Sequence, residues 1–333
     1  MNPFEYKRAE QEQGAIEAII GGKDGGKDAK FLAGGTNLID LMKNGVQTPS
    51  RLVDINRVPL TNIEHTPDGG LRLGALARNS DTANNPLVRK NYPLLSQAIL
   101  SGASPQLRNL ATNGGNLLQR TRCPYFMDPA FPKCNKRSPG TGCGAREGVH
   151  RRHAIFGASE QCIAVHPSDM AVALAALGAS IRVRGQKGER MIPIADFHRL
   201  PGTTPQLDTN LQPDELILSI DLPPSPYAAH SHYLKIRDRA SYDFALVSIA
   251  AGFEMQNGTI KSARLALGGV AHKPWRAEKA EALLAGKQAN AAAFEAAANE
   301  ALTGAQPLQQ NAYKVELARR AIVRALTLAG GVA

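Results

Sequence analysis

Lys30-Phe31-Leu32-Ala33-Gly34-Gly35-Thr36-Asn37-Leu38 is the stretch on which the reading of this chain turns. Residues 30–33 are short and mostly apolar, as in a strand that packs on a core. Gly34-Gly35 makes a turn. Asn37 stands where a helix N-cap is expected, and the helix runs through Lys43 to Asn44-Gly45. Residues 51–55 alternate like a second strand. Strand, turn, helix and strand in that order predict a small α/β lobe.

Further along, from Leu71, the strands look antiparallel. Residues 180–184 and 190–194 flank a Gly-Gln-Lys-Gly turn and read as a hairpin. Residues 215–222 form another strand, closed by Pro223-Pro224, where the domain boundary is expected. Beyond it, residues 244–255 and 259–267 flank Asn257-Gly258, a strong hairpin signal. After Pro274 the chain turns Ala-rich and helical, ending with a helix over 313–328. The expected division is a domain over 1–224, with a small lobe 1–57 and a larger lobe 58–224, and a second domain over 225–333.

A length of 333 residues suits two domains better than one core. No apolar run is long enough to cross a bilayer. The start, MNPFEYKRAEQEQG, lacks a basic segment followed by an apolar one, so it does not read as a secretory signal. The formal net charge is +10, but the Lys and Arg residues are scattered. That fits a solvated basic surface or a docking face for a partner subunit; no nucleic-acid recognition motif accompanies the charge.

A second glycine turn, Ala111-Thr112-Asn113-Gly114-Gly115-Asn116, repeats the character of the first. Glycines let backbone come close to a phosphate and offer N–H donors. A single such turn is commonly a plain tight turn; two, each flanked by Thr and Asn, suit a dinucleotide diphosphate. The sequence contains neither a G-x-G-x-x-G that opens a helix nor a G-x-x-x-x-G-K-[ST] loop.

All four cysteines, Cys123, Cys134, Cys143 and Cys162, fall in one stretch with the spacing C-x10-C-x8-C-x18-C. Pro124, Pro132, Pro139, Gly140, Gly142 and Gly144 give it loop composition. Spacing leaves four readings open: an iron–sulfur cluster, a zinc site without the usual tight cysteine pairs, two disulfides, or, least expected given the clustering, four unrelated thiols. His153 and His166 lie nearby and read as core or surface histidines rather than ligands.

Six motifs occur in order: F-L-A-G-G-T-N-L at 31–38, A-T-N-G-G-N at 111–116, H-P-S-D-M-A-V-A-L-A-A-L-G-A at 166–179, D-E-L-I-L-S-I-D-L-P at 214–223, Y-L-K-I-R-D-R-A-S-Y-D-F-A-L-V-S at 233–248 and L-A-L-G-G-V-A-H-K-P-W-R at 265–276. Together they resemble the FAD-binding medium subunit of the xanthine dehydrogenase / aldehyde oxidase / carbon monoxide dehydrogenase family. The resemblance implies an α+β chain: a two-lobed FAD-binding fold of the vanillyl-alcohol oxidase (PCMH) type, then a C-terminal α+β domain like that of carbon monoxide dehydrogenase flavoprotein. It implies that Lys30, Phe31, Leu32, Ala33, Gly34, Gly35, Thr36, Asn37 and Leu38 lie along the FAD pyrophosphate. Thr112, Gly114, Gly115 and Asn116 would lie on its other side, Asp169 near the second turn, Ile217 against the flavin and Lys235 near the isoalloxazine.

The sequence departs from the family in one place. Residues 117–165 separate the second glycine turn from the Ser168-Asp169 pair, and all four cysteines lie there. Such an insertion resembles the periplasmic aldehyde oxidoreductase branch, whose FAD subunit carries an additional [4Fe–4S] cluster. The resemblance thus implies cluster ligation by Cys123, Cys134, Cys143 and Cys162. It also implies a heterotrimer with a molybdenum-cofactor-binding large subunit and a [2Fe–2S] small subunit. Location would be periplasmic, by co-export with a signal-bearing partner, or alternatively cytoplasmic. The chain itself would carry electrons on FAD, with no general base of its own; Tyr242, Asp243 and Phe244 are the tempting residues near the flavin, Asp243 being equally readable as structural. Two rival expectations are a standalone FAD-dependent oxidase with its own substrate pocket, and a basic nucleic-acid binder with a zinc loop.

Overall fold

The computed structural model describes residues 1–21 and 28–332. A three-stranded parallel sheet opens the chain, ordered β1 (Glu5–Arg8), β3 (Arg51–Asp54), β2 (Ala29–Leu32). Helices Glu12–Ile20 and Leu38–Lys43 connect the strands, and Ile16, Ile19, Val53 and Val58 form the lobe's core. This is the expected small α/β lobe, with β1 and the first helix added. β1 carries no apolar alternation, and all four of its residues are exposed; the sequence gives it no period to read.

The larger lobe is a five-stranded antiparallel sheet in the order β4 (Ile63–His65), β5 (Leu71–Gly74), β8 (Leu216–Leu222), β6 (Ser180–Gly185), β7 (Gly188–Pro193). The expected hairpin is β6–β7, paired from Ser180 with Pro193 to Gly185 with Gly188. β8 slots between β5 and β6, so Leu71 pairs with Leu222 far along the chain. Short helices fill residues 79–117, three of them opened by Pro86, Pro93 and Pro105 at the first position, where the missing N–H costs nothing. Helix Asp169–Leu177 is buried along its whole length and packs in this lobe's core.

Four antiparallel strands follow, ordered β12 (Trp275–Arg276), β11 (Thr259–Gly268), β10 (Val247–Gln256), β9 (Ser231–Ile236). Asn257 and Gly258 both have positive φ (49° and 75°) at the β10–β11 turn, as the Asn-Gly signal requires. Helices Glu278–Leu284, Ala291–Ala301 and Tyr313–Gly330 cover the sheet.

The cysteine segment between these units is mostly irregular, with single-turn helices at Pro124–Met127 and Gly144–Glu147. It is tied to both domains. Phe126 and Cys134 pack on Leu41 of the small lobe. Ile155 and Phe156 join the C-terminal core, Phe156 stacking on Trp275 with ring centroids 4.8 Å apart. Among the described residues, no helix is long and apolar enough to cross a membrane.

Candidate functional site

The two glycine turns meet. A β-carbon on Gly34 would collide with the Leu110 carbonyl oxygen and touch Ala111, so the backbones touch only because residue 34 is glycine. Gly35 has φ +71°, a left-handed conformation that strains any L side chain, and a β-carbon there would sit 2.7 Å from Ile39 Cδ1.

The turns differ in what they offer. None of the backbone N–H groups of Gly34, Gly35, Thr36 and Asn37 has a partner among the described residues. In the second turn, by contrast, the N–H groups of Gly114, Gly115 and Asn116 donate to Ala75 O (2.8 Å), Thr112 Oγ1 (3.2 Å) and Thr112 O (2.8 Å). Asn113 is likewise spent internally: its amide bonds Asn79, Thr82 and Gly74. So the first turn presents donors, and the second supplies shape.

Asn37 departs from the capping role expected for it; its side chain caps nothing. Its Oδ1 accepts the Arg120 backbone N–H at 2.9 Å, which leaves Nδ2 buried and without a partner. An orphaned amide donor beside four free backbone donors is the chemistry of an anion cradle. Positive charge adds to it. Lys30 is solvent-accessible but crowded by surrounding protein, and that crowding, together with Arg120, pushes its ammonium below the usual value. Phe31, Leu32, Ala33, Thr36 and Leu38 are all half-buried along the same strand and turn.

The remaining expected residues lie around the second turn. Ile217 is buried in the larger core, its Cβ 3.7 Å from where a Gly114 β-carbon would stand. Asn116 Oδ1 accepts from Ser168 Oγ at 2.6 Å, and Ser168 Oγ accepts the Ala171 N–H, capping the helix that Asp169 begins. Asp169 and Lys235 do not stand apart but pair with each other at 2.8 Å. Ser168 and Asp169 edge a cleft lined also by residues 121–124, Arg152, His153, residues 165–167, Phe244, Ala245, Ser248, Gly268 and Gly269. Half-buried Arg122 lines it, its Nε unpartnered and its guanidinium 5.2 Å from the centre of the Phe244 ring. Asp243 binds Arg152 and the Phe244 N–H, a structural role. Sequence reasoning missed Arg120 and the Leu110 carbonyl, both joined to the first turn across long loops.

The four cysteines line one small pocket, with Thr121 and Cys123 shared with the larger cleft. Cys134 and Cys143 face each other across a short antiparallel bridge, with Asn135 N–H to Gly142 O at 2.8 Å and Gly144 N–H to Lys133 O at 2.9 Å. All four are free thiols. Burial pushes Cys123 up to about 12 and Cys162 up to about 11, so these two thiols, when bare, stay protonated near neutral pH. Among the described residues, no three His, Cys, Asp or Glu side chains converge to hold a single metal ion. His153 is buried against Cys123, and His166 is half-buried against His198 with ring centroids 4.2 Å apart.

The family described as FAD binding domain in molybdopterin dehydrogenase matches residues 2–225, and that described as CO dehydrogenase flavoprotein C-terminal domain matches residues 232–329. The chain is 52% identical over 299 residues to the aldehyde oxidoreductase FAD-binding subunit PaoB of Escherichia coli (strain K12), covering 90% of both chains. It is 31% identical over 287 residues to the glyceraldehyde dehydrogenase medium chain of Sulfolobus acidocaldarius, covering 86% of this chain and 83% of that one. Carbon monoxide dehydrogenase from Hydrogenophaga pseudoflava has the same fold, with a TM-score of 0.76 at 28% identity over 99% of this chain and 98% of that one. The α+β architecture, its first glycine turn and these matches agree, and the chain belongs to the FAD-binding family of the molybdopterin dehydrogenases, ending in a CO dehydrogenase flavoprotein C-terminal domain.

Proposed function

We propose that this chain is the FAD-carrying electron-transfer subunit of a molybdenum-dependent aldehyde oxidoreductase. The observation that carries the reading is the first glycine turn: four free backbone N–H groups, the orphaned Asn37 Nδ2 and nearby Lys30 form a cradle for a diphosphate. Residues 30–38 would hold the diphosphate, backed by the shape of Thr112 and Gly114–Asn116. The pair Asp169–Lys235, with Ile217, would shape the inner end of the site. The domain division at residues 224 and 225 is supported by the limits of the two family matches.

Bound FAD supplies the redox chemistry, and the protein supplies binding, orientation and electrostatics. In the complex, a large partner subunit would hold the molybdenum centre that supplies the oxidation of an aldehyde and water to a carboxylate, protons and two electrons. The electrons would reach this chain through a [2Fe–2S] small subunit and leave to an external acceptor. The aldehyde substrate class rests on the names of the two relatives above. Export to the periplasm would depend on a partner's signal.

The cysteine pocket completes the proposal. Cys123, Cys134, Cys143 and Cys162 would ligate one [4Fe–4S] cluster. The four cysteines line one pocket, and four thiolates are the number that a cubane takes. Iron and flavin analysis of the purified complex tests both parts. About four irons per chain and one noncovalent FAD are expected. Zinc at one per chain refutes the cluster, and a flavin-free chain refutes the subunit assignment.

A further inference from the structure

His153 Nε2 lies 3.2 Å from Cys123 Sγ. Its ring is 4% exposed, and its other nitrogen, Nδ1, is buried without a partner. The backbone of this residue is pinned from the C-terminal helix and the turn before it: its carbonyl accepts Lys314 Nζ at 2.9 Å and Asn311 Nδ2 at 3.2 Å. Its own N–H donates to His150 O at 3.1 Å. A histidine fixed on both sides, with one ring nitrogen on a sulfur and none elsewhere, has a single hydrogen bond to make.

We propose that His153 is a positioning residue that donates Nε2–H to the Cys123 sulfur and thereby raises the reduction potential of the cluster in the cysteine pocket. The inference rests on the [4Fe–4S] reading above. A ligating thiolate has no proton and only accepts, so the neutral imidazole must carry its proton on Nε2; the absence of any partner at Nδ1 permits that tautomer at no loss. Hydrogen bonds to ligand sulfur withdraw charge and favour the reduced, more negative cluster. Cys123 is also the cysteine that lines both the cluster pocket and the larger cleft beside Asp169, so this bond acts on the side of the cluster nearest that cleft.

The test is a redox titration of the whole complex, following the reduced-cluster EPR signal. His153→Leu removes the donor and is expected to disfavour reduction about tenfold, which is about 59 mV downward for one electron. His153→Gln places an amide N–H near the same point and is expected to restore more than half of that shift. Full iron content with an unmoved potential in His153→Leu overturns the inference while leaving the cluster intact. Should His153→Leu lose its cluster, the wild-type complex labelled with 15N-histidine decides: a weak 15N coupling in the pulsed EPR of the reduced cluster is expected, and its absence overturns the bond. A wild-type complex without iron overturns the cluster reading itself, a separate result.

Discussion

Lys235 Nζ lies 2.8 Å from Asp169 Oδ2, with the two side chains only 4% and 7% exposed. Tyr233 donates its hydroxyl to the other carboxylate oxygen at 2.7 Å, and Lys235 also reaches Ser101 O at 3.1 Å. Two residues that the sequence resemblance sends to the flavin independently are therefore one buried unit that joins the larger lobe to β9. Removing one member of such a pair leaves a charge buried alone, at a cost of about 3–5 kcal/mol. Lys235→Met should lose that much in urea unfolding, and adding Asp169→Asn should recover more than half of it, because the carboxylate charge is then gone. Costs that simply add would show that the two side chains are not coupled.

The left-handed backbone of Gly35 makes a second prediction. Gly35→Val adds left-handed strain and a clash with Ile39 beside the free donors of residues 34–37, so the purified chain should lose most of its 450 nm flavin absorbance. Gly45→Ala is the control: its φ is +70°, but nothing lies within 4 Å of the added carbon. It should cost about 1 kcal/mol of stability and keep its flavin. Full flavin in Gly35→Val would move the diphosphate away from this turn.

What the sequence made legible was local. The β6–β7 and β10–β11 hairpins follow from alternation and turn chemistry, and the first glycine turn from its own composition. What it hid was set by distant contacts. Asn37 has the residue type of an N-cap, yet the Arg120 N–H, 83 positions away, takes its oxygen. Nothing in the spacing of Asp169 and Lys235 shows that they meet. β8 sits in mid-sheet because β5 and β6 both need a partner of matching apolar face, and no local period encodes that order. The second glycine turn resembled the first in letters, but its N–H groups were taken by Ala75 and Thr112.

Acid sensitivity is a third expectation. Burial holds His198 down to about 4, and burial with Lys136 holds His272 down to about 3. Unfolded histidine titrates near 6.5. Between that value and the folded one the unfolded chain binds more protons, so these groups give full stability above about pH 6.5 and lose it as pH falls, by about 1.4 kcal/mol per pH unit for each histidine. His198 Nε2 donates to Leu117 O at 2.9 Å, a bond glutamine can keep. His198→Gln should flatten the loss of unfolding free energy between pH 6 and pH 5 by about 1.4 kcal/mol per unit. An unchanged slope removes His198 from the acid response.

The orphaned donor of Asn37 allows the most direct test of the diphosphate cradle. The Arg120 N–H requires an acceptor, which fixes the amide with its oxygen toward Arg120 and leaves Nδ2 as the unpartnered donor. Asn37→Asp keeps that acceptor, so the junction between the first turn and the cysteine segment should hold and the unfolding midpoint should barely move. The same change deletes one donor and places a carboxylate where a diphosphate would sit. Losing a hydrogen bond to a charged group costs about 1.5–3 kcal/mol, or roughly 10- to 100-fold in Kd, and like-charge repulsion adds to it. Asn37→Ala loses the donor without gaining the charge, but it also strands the Arg120 N–H. The expected order of FAD affinity in fluorescence titrations of the flavin-depleted chain is therefore wild type, then alanine, then aspartate, while the order of stability places alanine last. Aspartate binding FAD as tightly as wild type would show that Nδ2 points at nothing the flavin carries.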